Sequence, residues 1–172
     1  MSQPTLLSAT SDSDVSSTCT RYELTQSQFA SLRSSASSAK ALAYCPYSRF
    51  RVGAALLSPD GSTVISGANV ENASYPVGTC AERVAIGKAV TWEGEGGPVK
   101  TFKALSVATD ISPPASPCGM CRQFIREFCS LEMPIIMFDS KDQYMVMTLG
   151  ELLPMSFGPD ALPPPGAPGA QG

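Results

Sequence analysis

Val52-Gly-Ala-Ala-Leu-Leu57 decides the fold, because it is a continuous apolar run between Arg51 and Ser58. A strand that is apolar along its whole length is typical of a sheet covered on both faces. The Asp60-Gly61 pair that follows is a tight-turn signal, and it predicts a hairpin whose second strand spans about residues 63–69. Further apolar runs predict strands over residues 103–110 and 134–139.

Helical patterns are interspersed with these strands. Helices are predicted over residues 25–44, 79–92, 116–131 and 149–153. Thr25-Gln-Ser-Gln28 and Thr79-Cys-Ala-Glu82 both have the form of a capping box. Ser116-Pro117 offers an N-cap followed by proline at the first helical position. A hairpin followed by alternating helices and strands predicts an α/β domain with a mixed sheet layered between helices.

The two ends of the 172-residue chain differ in composition from its middle. Residues 1–24 are polar and rich in Ser and Thr, and they predict a disordered tail. Residues 158–172 are rich in Pro and Gly, and they predict a second disordered tail. The folded domain is therefore expected to span residues 25–157.

Charge and hydropathy exclude several classes of protein. The chain has 12 Lys and Arg against 15 Asp and Glu, a net charge of −3, and no basic cluster, so a polynucleotide partner is not expected. It has no run of 18 apolar residues to span a membrane. The N-terminus lacks the basic start and apolar stretch of a secretory signal peptide, which predicts an intracellular, cytoplasmic protein.

The cysteines carry the main chemical signal, because the chain contains no histidine. Cys80-Ala-Glu82 lies at the start of one predicted helix, and Pro117-Cys118-Gly-Met-Cys121 at the start of another. Two cysteines separated by two residues can reach one zinc ion from a single turn. Three thiolates leave one tetrahedral position for water, which is typical of a catalytic site. The pattern therefore predicts a catalytic zinc held by Cys80, Cys118 and Cys121.

Other uses of the cysteines stay open at this point. Cys118 and Cys121 would also suit a redox pair, although the strand that normally precedes such a motif is missing. All six cysteines would be able to form three disulfides, which an intracellular chain with an ample core does not need. A fourth thiolate from Cys19, Cys45 or Cys129 would close a purely structural zinc site that binds a partner and catalyses nothing.

Two residues beside Cys80 have competing interpretations. Glu82 either completes a capping box with Thr79 or accepts a proton from water at the metal. A non-ligand Glu two residues after the first zinc ligand is the signature of zinc nucleobase deaminases, which favours the second interpretation. Arg83 is either a solvated arginine or, together with the helix N-termini, offsets the negative charge of the thiolates.

Several longer motifs occur in the order and spacing of one family. Asn69-Val-Glu-Asn-Ala-Ser-Tyr-Pro76, Cys80-Ala-Glu-Arg83 and Pro117-Cys-Gly-Met-Cys-Arg-Gln123 closely resemble the small, homotetrameric, zinc-dependent cytidine deaminases of the three-cysteine type. Pro46-Tyr-Ser-Arg-Phe50 and Leu152-Leu-Pro-Met-Ser-Phe-Gly158 extend the resemblance, which covers residues 29–158. It implies a three-layer α/β/α sandwich with a five-stranded mixed sheet, one Zn²⁺ per subunit, and a homotetramer with shared active sites.

The resemblance also assigns residues to the substrate. Asn69 and Glu71 would hydrogen-bond the ribose hydroxyls, although the residues alone favour turn chemistry and surface charge. Phe50 would pack against the pyrimidine, although an apolar residue before a buried strand is more often core. The backbone at Cys80 and Ala81 would bind the polar edge of the base.

Three further residues are implied to act across a subunit interface. Ala73 and Tyr75 would be contributed by a neighbouring subunit, and Phe157 would close over the base from a neighbouring subunit. Without the resemblance, Phe157 is predicted to be an apolar anchor that ends the last helix.

The implied reaction is hydrolytic deamination of cytidine and 2'-deoxycytidine to uridine and 2'-deoxyuridine, as in pyrimidine salvage. Ammonia is released, a zinc-bound hydroxide is the nucleophile and Glu82 is the proton shuttle. A deaminase of another cytosine nucleoside or nucleotide is the alternative within this class. Asn69 and Glu71 favour a free nucleoside, because a phosphate would call for Arg or Lys near this motif.

Overall fold

The computed structural model describes residues 4–93 and 96–163. They form one mixed sheet of 6 strands in the order β1-β6-β5-β4-β2-β3. The strands are β1 Leu7–Ser8, β2 Val52–Leu57, β3 Val64–Ala68, β4 Ala104–Thr109, β5 Pro134–Phe138 and β6 Gln143–Thr148. Only β4 and β5 pair in parallel among these neighbours; the other pairs are antiparallel.

The predicted helices are present, with shorter bounds. The helices are α1 Asp12–Arg21, α2 Gln26–Ala39, α3 Ala81–Val90, α4 Gly119–Phe128 and α5 Leu149–Leu152, and single 3-10 turns cover Lys40–Leu42, Tyr75–Val77 and Pro159–Ala161. The capping box predicted at the start of α2 is confirmed, since Thr25 accepts from the Gln28 backbone and the Gln28 side chain accepts from the Thr25 backbone. In the described part of the chain, no helix is both long and apolar enough to cross a membrane.

The helices cover the sheet on both faces, as a three-layer α/β/α sandwich requires. On one face Phe29 and Leu32 of α2 join the core with Leu57 of β2. On the other face Ile86 of α3 and Ile125 of α4 join the second core, which also includes residues of β2, β4 and β5. The uninterrupted apolar character of β2 thus follows from its position, because it packs against helices on both sides.

Two glycines let helices approach the sheet closely. A Cβ on Gly53 in β2 would overlap the carbonyl oxygen of Ala36 in α2. A Cβ on Gly67 in β3 would lie 2.5 Å from the Ala85 nitrogen and 2.8 Å from the Ala81 oxygen of α3. The first turn of α3 therefore lies directly on β3, which fixes the position of the cysteine and glutamate at its start.

The N-terminus differs from the prediction of a disordered tail at residues 1–24. In the described part of this segment, β1 pairs with β6 and adds a sixth strand to the five expected. Helix α1 begins at the N-cap Ser11, and its buried Thr18 shares a hydrogen bond of 2.7 Å with the Tyr144 hydroxyl. The Ser-rich composition concealed this fold because hydroxyl side chains here cap a helix and bond to the core instead of lying in solvent.

The first residues of the predicted C-terminal tail are folded and contact α4. Of the predicted tail at 158–172, residues 158–163 are described and include the 3-10 turn Pro159–Ala161. Within this turn Asp160 pairs with the buried Arg126 of α4. The prediction for residues 164–172 lies outside the described residues.

Candidate metal centre and substrate cleft

Three cysteine sulfurs converge at the N-terminal ends of α3 and α4. The Sγ atoms of Cys80, Cys118 and Cys121 all lie within 4.8 Å of one another. Cys80 and Cys118, 38 positions apart in sequence, have their sulfurs 3.8 Å apart. Thiolates about 2.3 Å from a tetrahedral zinc ion lie about 3.8 Å from each other. The spacing and the all-sulfur donor set therefore fit one zinc ion with a fourth position left over.

The other cysteines do not join this cluster. All six thiols are free, so the alternative of three disulfides is wrong. Cys129 is buried in the core shared by α3 and α4, and Cys19 in the core shared by α1 and α2. Among the described cysteine, aspartate and glutamate residues, only the three converging cysteines form a group with metal-binding spacing. No fourth thiolate from this part of the chain closes the site.

Both helix starts differ in detail from the sequence prediction. Cys80 is the N-cap of α3 and has no side-chain capping bond, so the capping box of Thr79 with Glu82, the less favoured interpretation of Glu82, is wrong. Cys118 is the N-cap of α4, two residues later than the predicted Ser116. Two sulfurs thus occupy N-cap positions, where unpaired backbone N–H groups and the helix dipole favour negative charge.

Arg83 lies against these sulfurs and is not a free surface side chain. Its Nη2 donates to the Gly78 carbonyl at 3.0 Å, while its buried Nε has no hydrogen-bond partner among the described residues. A hydrogen bond from the Cys121 thiol, with further ones from Arg83 and Cys118, lowers the pKa of Cys80 to about 5 in spite of desolvation. The same bond raises the pKa of Cys121. The surroundings therefore favour the thiolate form of Cys80.

Glu82 is a buried carboxyl group beside the sulfur cluster. Only 3% of the residue is exposed, and desolvation by burial raises the pKa of its carboxyl group. Because it does not cap α3, its carboxylate is available for other contacts. A carboxyl group whose pKa is raised toward neutrality is suited to both accept and donate a proton.

A cavity of about 220 Å³ brings the predicted residues together. It is lined by Ser48, Phe50, Val52, Asn69, Glu71, Cys80, Glu82, Val107, Thr109, Ala115, Ser116 and Cys118. A neighbouring cleft of about 370 Å³ shares Ser48, Asn69, Glu71 and Cys80 with it and extends past Tyr75. The metal centre and the predicted ribose-binding pair therefore lie in one continuous depression.

Asn69 and Glu71 are held by the loop that precedes β2. The Asn69 Nδ2 donates to the Phe50 carbonyl at 2.9 Å, and its Oδ1 accepts from the Val52 nitrogen at 2.9 Å. The Glu71 carboxylate accepts from the backbone nitrogen of Ser48 at 3.2 Å and from its hydroxyl. Each side chain keeps hydrogen-bonding capacity for a ligand, since an amide oxygen and a carboxylate accept more than one bond each.

Sequence reasoning missed Ser48, although it lies inside the quoted motif Pro46-Tyr-Ser-Arg-Phe50. Its hydroxyl donates to Glu71 and accepts from the Phe50 nitrogen at 3.0 Å. The Ser48 hydrogen bond lowers the pKa of Glu71 and keeps that side chain ionised. The available signal was a hydroxyl within the turn of residues 46–48, but only the fold shows what this hydroxyl contacts.

The remaining predicted residues do not all enter this cavity. Phe50 lines it, and Ala81 is fully buried, so only its backbone can serve a ligand. Tyr75 borders the wider cleft and is 76% exposed, while Ala73 is exposed beside it. Phe157 is 62% exposed after α5 and lines neither cavity of its own chain.

Comparisons with known proteins agree with this geometry. Residues 26–137 match the family model described as the cytidine and deoxycytidylate deaminase zinc-binding region. The chain is 47% identical over 124 residues to a cytidine deaminase of Sporosarcina psychrophila, covering 72% of this chain and 87% of the relative. It is 42% identical over 132 residues to a cytidine deaminase of Mycobacterium tuberculosis, covering 77% and 91%.

Solved structures give the same result. The crystal structure of a cytidine deaminase from Burkholderia pseudomallei superposes with a TM-score of 0.67 at 38% identity, covering 74% of this chain and 98% of that one. The crystal structure of the cytidine deaminase from M. tuberculosis superposes with a TM-score of 0.62 at 38% identity, covering 76% and 97%. Similarity at this level, together with the match to the zinc-binding region of the family model and the cluster of three cysteines, shows that the chain belongs to the zinc-dependent cytidine deaminase family.

Proposed function

We propose that this protein hydrolytically deaminates cytidine and 2'-deoxycytidine, forming uridine and 2'-deoxyuridine with release of ammonia, in pyrimidine salvage. The observation that carries the proposal is that the buried Glu82 shares one cavity with Cys80 and Cys118 of the metal centre. A structural zinc site has no use for a buried carboxylate beside an open metal position. The alternative of a non-catalytic zinc module is thereby disfavoured.

Cys80, Cys118 and Cys121 would hold one zinc ion per subunit through their thiolates. Zinc, when bound there, lowers the pKa of a water molecule in its open position and supplies a nucleophile at neutral pH. The N-termini of α3 and α4, together with Arg83, would offset the negative charge of three thiolates. Arg83 would therefore act by stabilising the ligands and would not touch the substrate.

Glu82 would move the protons of the reaction. It would take a proton from the attacking water and deliver it to N3 of the cytosine ring, which makes C4 more electrophilic. It would then take the remaining proton of the water and deliver it to the departing amino group. The water oxygen ends on C4 and the amino group leaves as ammonia, so atoms and charges balance. Burial suits Glu82 to both steps, because desolvation raises the pKa of its carboxyl group.

The cavity walls would orient the nucleoside. Phe50 would pack against the pyrimidine ring, and the backbone at Cys80 and Ala81 would bind the polar edge of the base. Asn69 and Glu71 would hydrogen-bond the ribose hydroxyls with the capacity left by their contacts to the loop before β2. These contacts preorganise the two side chains, which lowers the entropic cost of binding.

The active sites would be completed by neighbouring subunits in a homotetramer. Tyr75 and Phe157 are large apolar side chains exposed by 76% and 62%, which an interface would cover. Phe157 would close over the base of a neighbouring subunit, and Ala73 and Tyr75 would also contribute across an interface. Residues 25–157 would form the catalytic domain. The cytoplasm is the proposed compartment, and the six free cysteines are consistent with reducing surroundings.

Absorbance assays with cytidine and 2'-deoxycytidine test the proposal, together with metal analysis of the same protein. We expect turnover of both nucleosides with one zinc per subunit, loss of turnover after chelation, and recovery on adding zinc. Retention of stoichiometric zinc without turnover of either nucleoside would contradict the proposal. Turnover of a cytosine nucleotide in preference to both would instead favour the alternative substrate class.

A further inference from the structure

Helix α4 holds the metal centre at its start and the C-terminal segment along its side. The segment of residues 152–160 is bound by three α4 side chains. Arg122 Nη1 donates to the Leu152 carbonyl at 2.7 Å, and Gln123 Nε2 donates to the Phe157 carbonyl at 3.0 Å. Arg126 Nη2 donates to Asp160. The chain is therefore tied to the helix that carries Cys118 and Cys121 by its backbone at Leu152 and Phe157 and by the Asp160 side chain.

The Arg126 side chain is buried, and its charge has one counterion among the described residues. Only 8% of this side chain is exposed, whereas the Asp160 side chain is 73% exposed. Arg126 Nε is buried without a hydrogen-bond partner among the described residues. The Arg126 guanidinium therefore holds Asp160 against α4, because a buried charge without its counterion is strongly unfavourable.

Gly158 makes this contact closer. A Cβ on Gly158 would overlap Cζ, Nη2 and Nε of Arg126, so the backbone lies directly on the guanidinium group. The residue is buried, in contrast to the exposed side chains of Met155 and Phe157 before it. The backbone is thus fixed against α4 while the Phe157 ring remains 62% exposed.

We propose that the Arg126–Asp160 ion pair positions Phe157 for its contact with the base in a neighbouring subunit. This rests on the proposed function, in which Phe157 acts across the interface. Arg126 and Asp160 are positioning residues, because neither lines the cavity that holds Glu82. Loss of the pair would free the segment on one side of Phe157 and reduce the fraction of time in which the ring is correctly placed.

The test compares Asp160→Asn with Asp142→Asn. Each variant removes one carboxylate from an Arg–Asp ion pair, and the Asp side chain is 73% exposed at Asp160 and 64% exposed at Asp142. Only Asp160 is close to Phe157 in the sequence. We expect Asp160→Asn to raise KM for cytidine about 3- to 10-fold, with kcat within about 2-fold and zinc content unchanged. Asp160→Glu retains the carboxylate, so its KM should lie close to the wild-type value. Asp142→Asn should leave KM at the wild-type value.

Amide hydrogen exchange and mixed oligomers separate positioning from general destabilisation. Exchange should rise at residues 155–161 in Asp160→Asn and stay unchanged in α3. In oligomers assembled with a large excess of Glu82→Gln subunits, nearly every active Asp160→Asn subunit has an inactive neighbour with an intact Phe157 segment, so KM should return to near the wild-type value. An unchanged KM in Asp160→Asn, or no recovery of KM in mixed oligomers, would overturn the inference about the ion pair. The proposed function would still stand in either case if the wild-type protein turns over cytidine. No turnover by the wild type would overturn both.

Discussion

Asn69 is hydrogen-bonded to the backbone of Phe50, since its Nδ2 donates to the Phe50 carbonyl at 2.9 Å. Its Oδ1 at the same time accepts from the Val52 nitrogen at 2.9 Å. One side chain thus fixes the loop that places an aromatic ring in the cavity and the first residue of β2. A residue that the resemblance assigns to the ribose thus also determines the shape of the site.

Asn69→Ala is therefore expected to affect both stability and binding. Loss of two hydrogen bonds to partly buried backbone groups should lower the free energy of unfolding by about 1–3 kcal/mol. KM for cytidine should rise as well, because Phe50 and the ribose contact are both disturbed. Urea unfolding and steady-state kinetics measure the two effects. Asn72→Ala, which removes one exposed bond to the Ser74 nitrogen, is the control and should cost less stability.

Glu82→Gln should abolish turnover while leaving the metal in place. The amide cannot carry protons between water and the base, so kcat should fall by a factor of at least about 10²–10⁴. Zinc content should stay at one per subunit, since Glu82 does not belong to the sulfur cluster. Glu132→Gln, a change at an exposed residue, is the matched control. Wild-type kcat in Glu82→Gln would exclude the proton-shuttle role.

Cys118→Ser should remove zinc and activity together. Two remaining thiolates bind the ion much more weakly than three, so dialysed protein should contain little metal and show little turnover. Cys45→Ser should retain both, because Cys45 is not part of the cluster. Metal analysis by mass spectrometry decides the matter, and full zinc content in Cys118→Ser would show that the ligand set is misassigned.

Arg83→Gln should weaken zinc retention by about 10-fold or more, the usual effect of losing a residue that supports metal ligands. The physical reason is the loss of a positive charge and hydrogen bonds at Cys80. Competition with a chromophoric chelator measures the affinity. Arg33→Gln, at an exposed ion pair remote from the sulfurs, should leave it unchanged. Equal zinc affinity and rate in Arg83→Gln would show that Arg83 does not stabilise the metal ligands.

Asp139 makes the β5–β6 turn sensitive to acid. Its Oδ1 accepts from the backbone nitrogens of Lys141 and Gln143, each at 2.8 Å. In spite of desolvation, which raises it, the pKa of Asp139 is lowered overall, with the Gln143 bond the largest lowering cause. A carboxyl group with a lowered folded-state pKa contributes stability above its unfolded-state pKa and loses it as pH falls through the folded-state value.

The stability of the wild type relative to Asp139→Asn should therefore be greatest near neutral pH. The difference should shrink progressively below about pH 4, the ordinary pKa of an aspartate. Urea unfolding at several pH values measures it. A difference that grew on acidification would contradict the sign of the shift.

The sequence predicted the central sheet well because β2 and β5 are apolar along their whole length, and β4 departs from this only at Ser106 and Thr109. Periodicity and length suffice for such strands, and the capping box at Thr25 fixed one helix start correctly. The sequence also predicted the cysteines of the metal centre, because Cys118 and Cys121 can reach one zinc ion from a single turn and Cys80 is followed two residues later by Glu82. Contacts between distant segments, such as Arg126 with Asp160, have no comparable sequence signal.

The failures have a common physical origin. Ser, Thr and Glu side chains can satisfy the backbone or tertiary partners, and the choice depends on the surrounding fold. Thr79 and Glu82 have the spacing of a capping box, yet Cys80 is the N-cap of α3 and the Glu82 side chain is buried. Ser11 and Thr18 lie in a stretch that resembles a tail, yet one caps α1 and the other meets Tyr144.

The pairing of β1 with β6 has a practical consequence for anyone who shortens this protein. Cutting before residue 25 on the basis of the family match would uncover a strand edge together with the Tyr144 ring beneath α1. A bare edge next to newly exposed apolar surface is a template for association between molecules. A trimmed version made for crystallisation would thus be more prone to precipitate than the full chain.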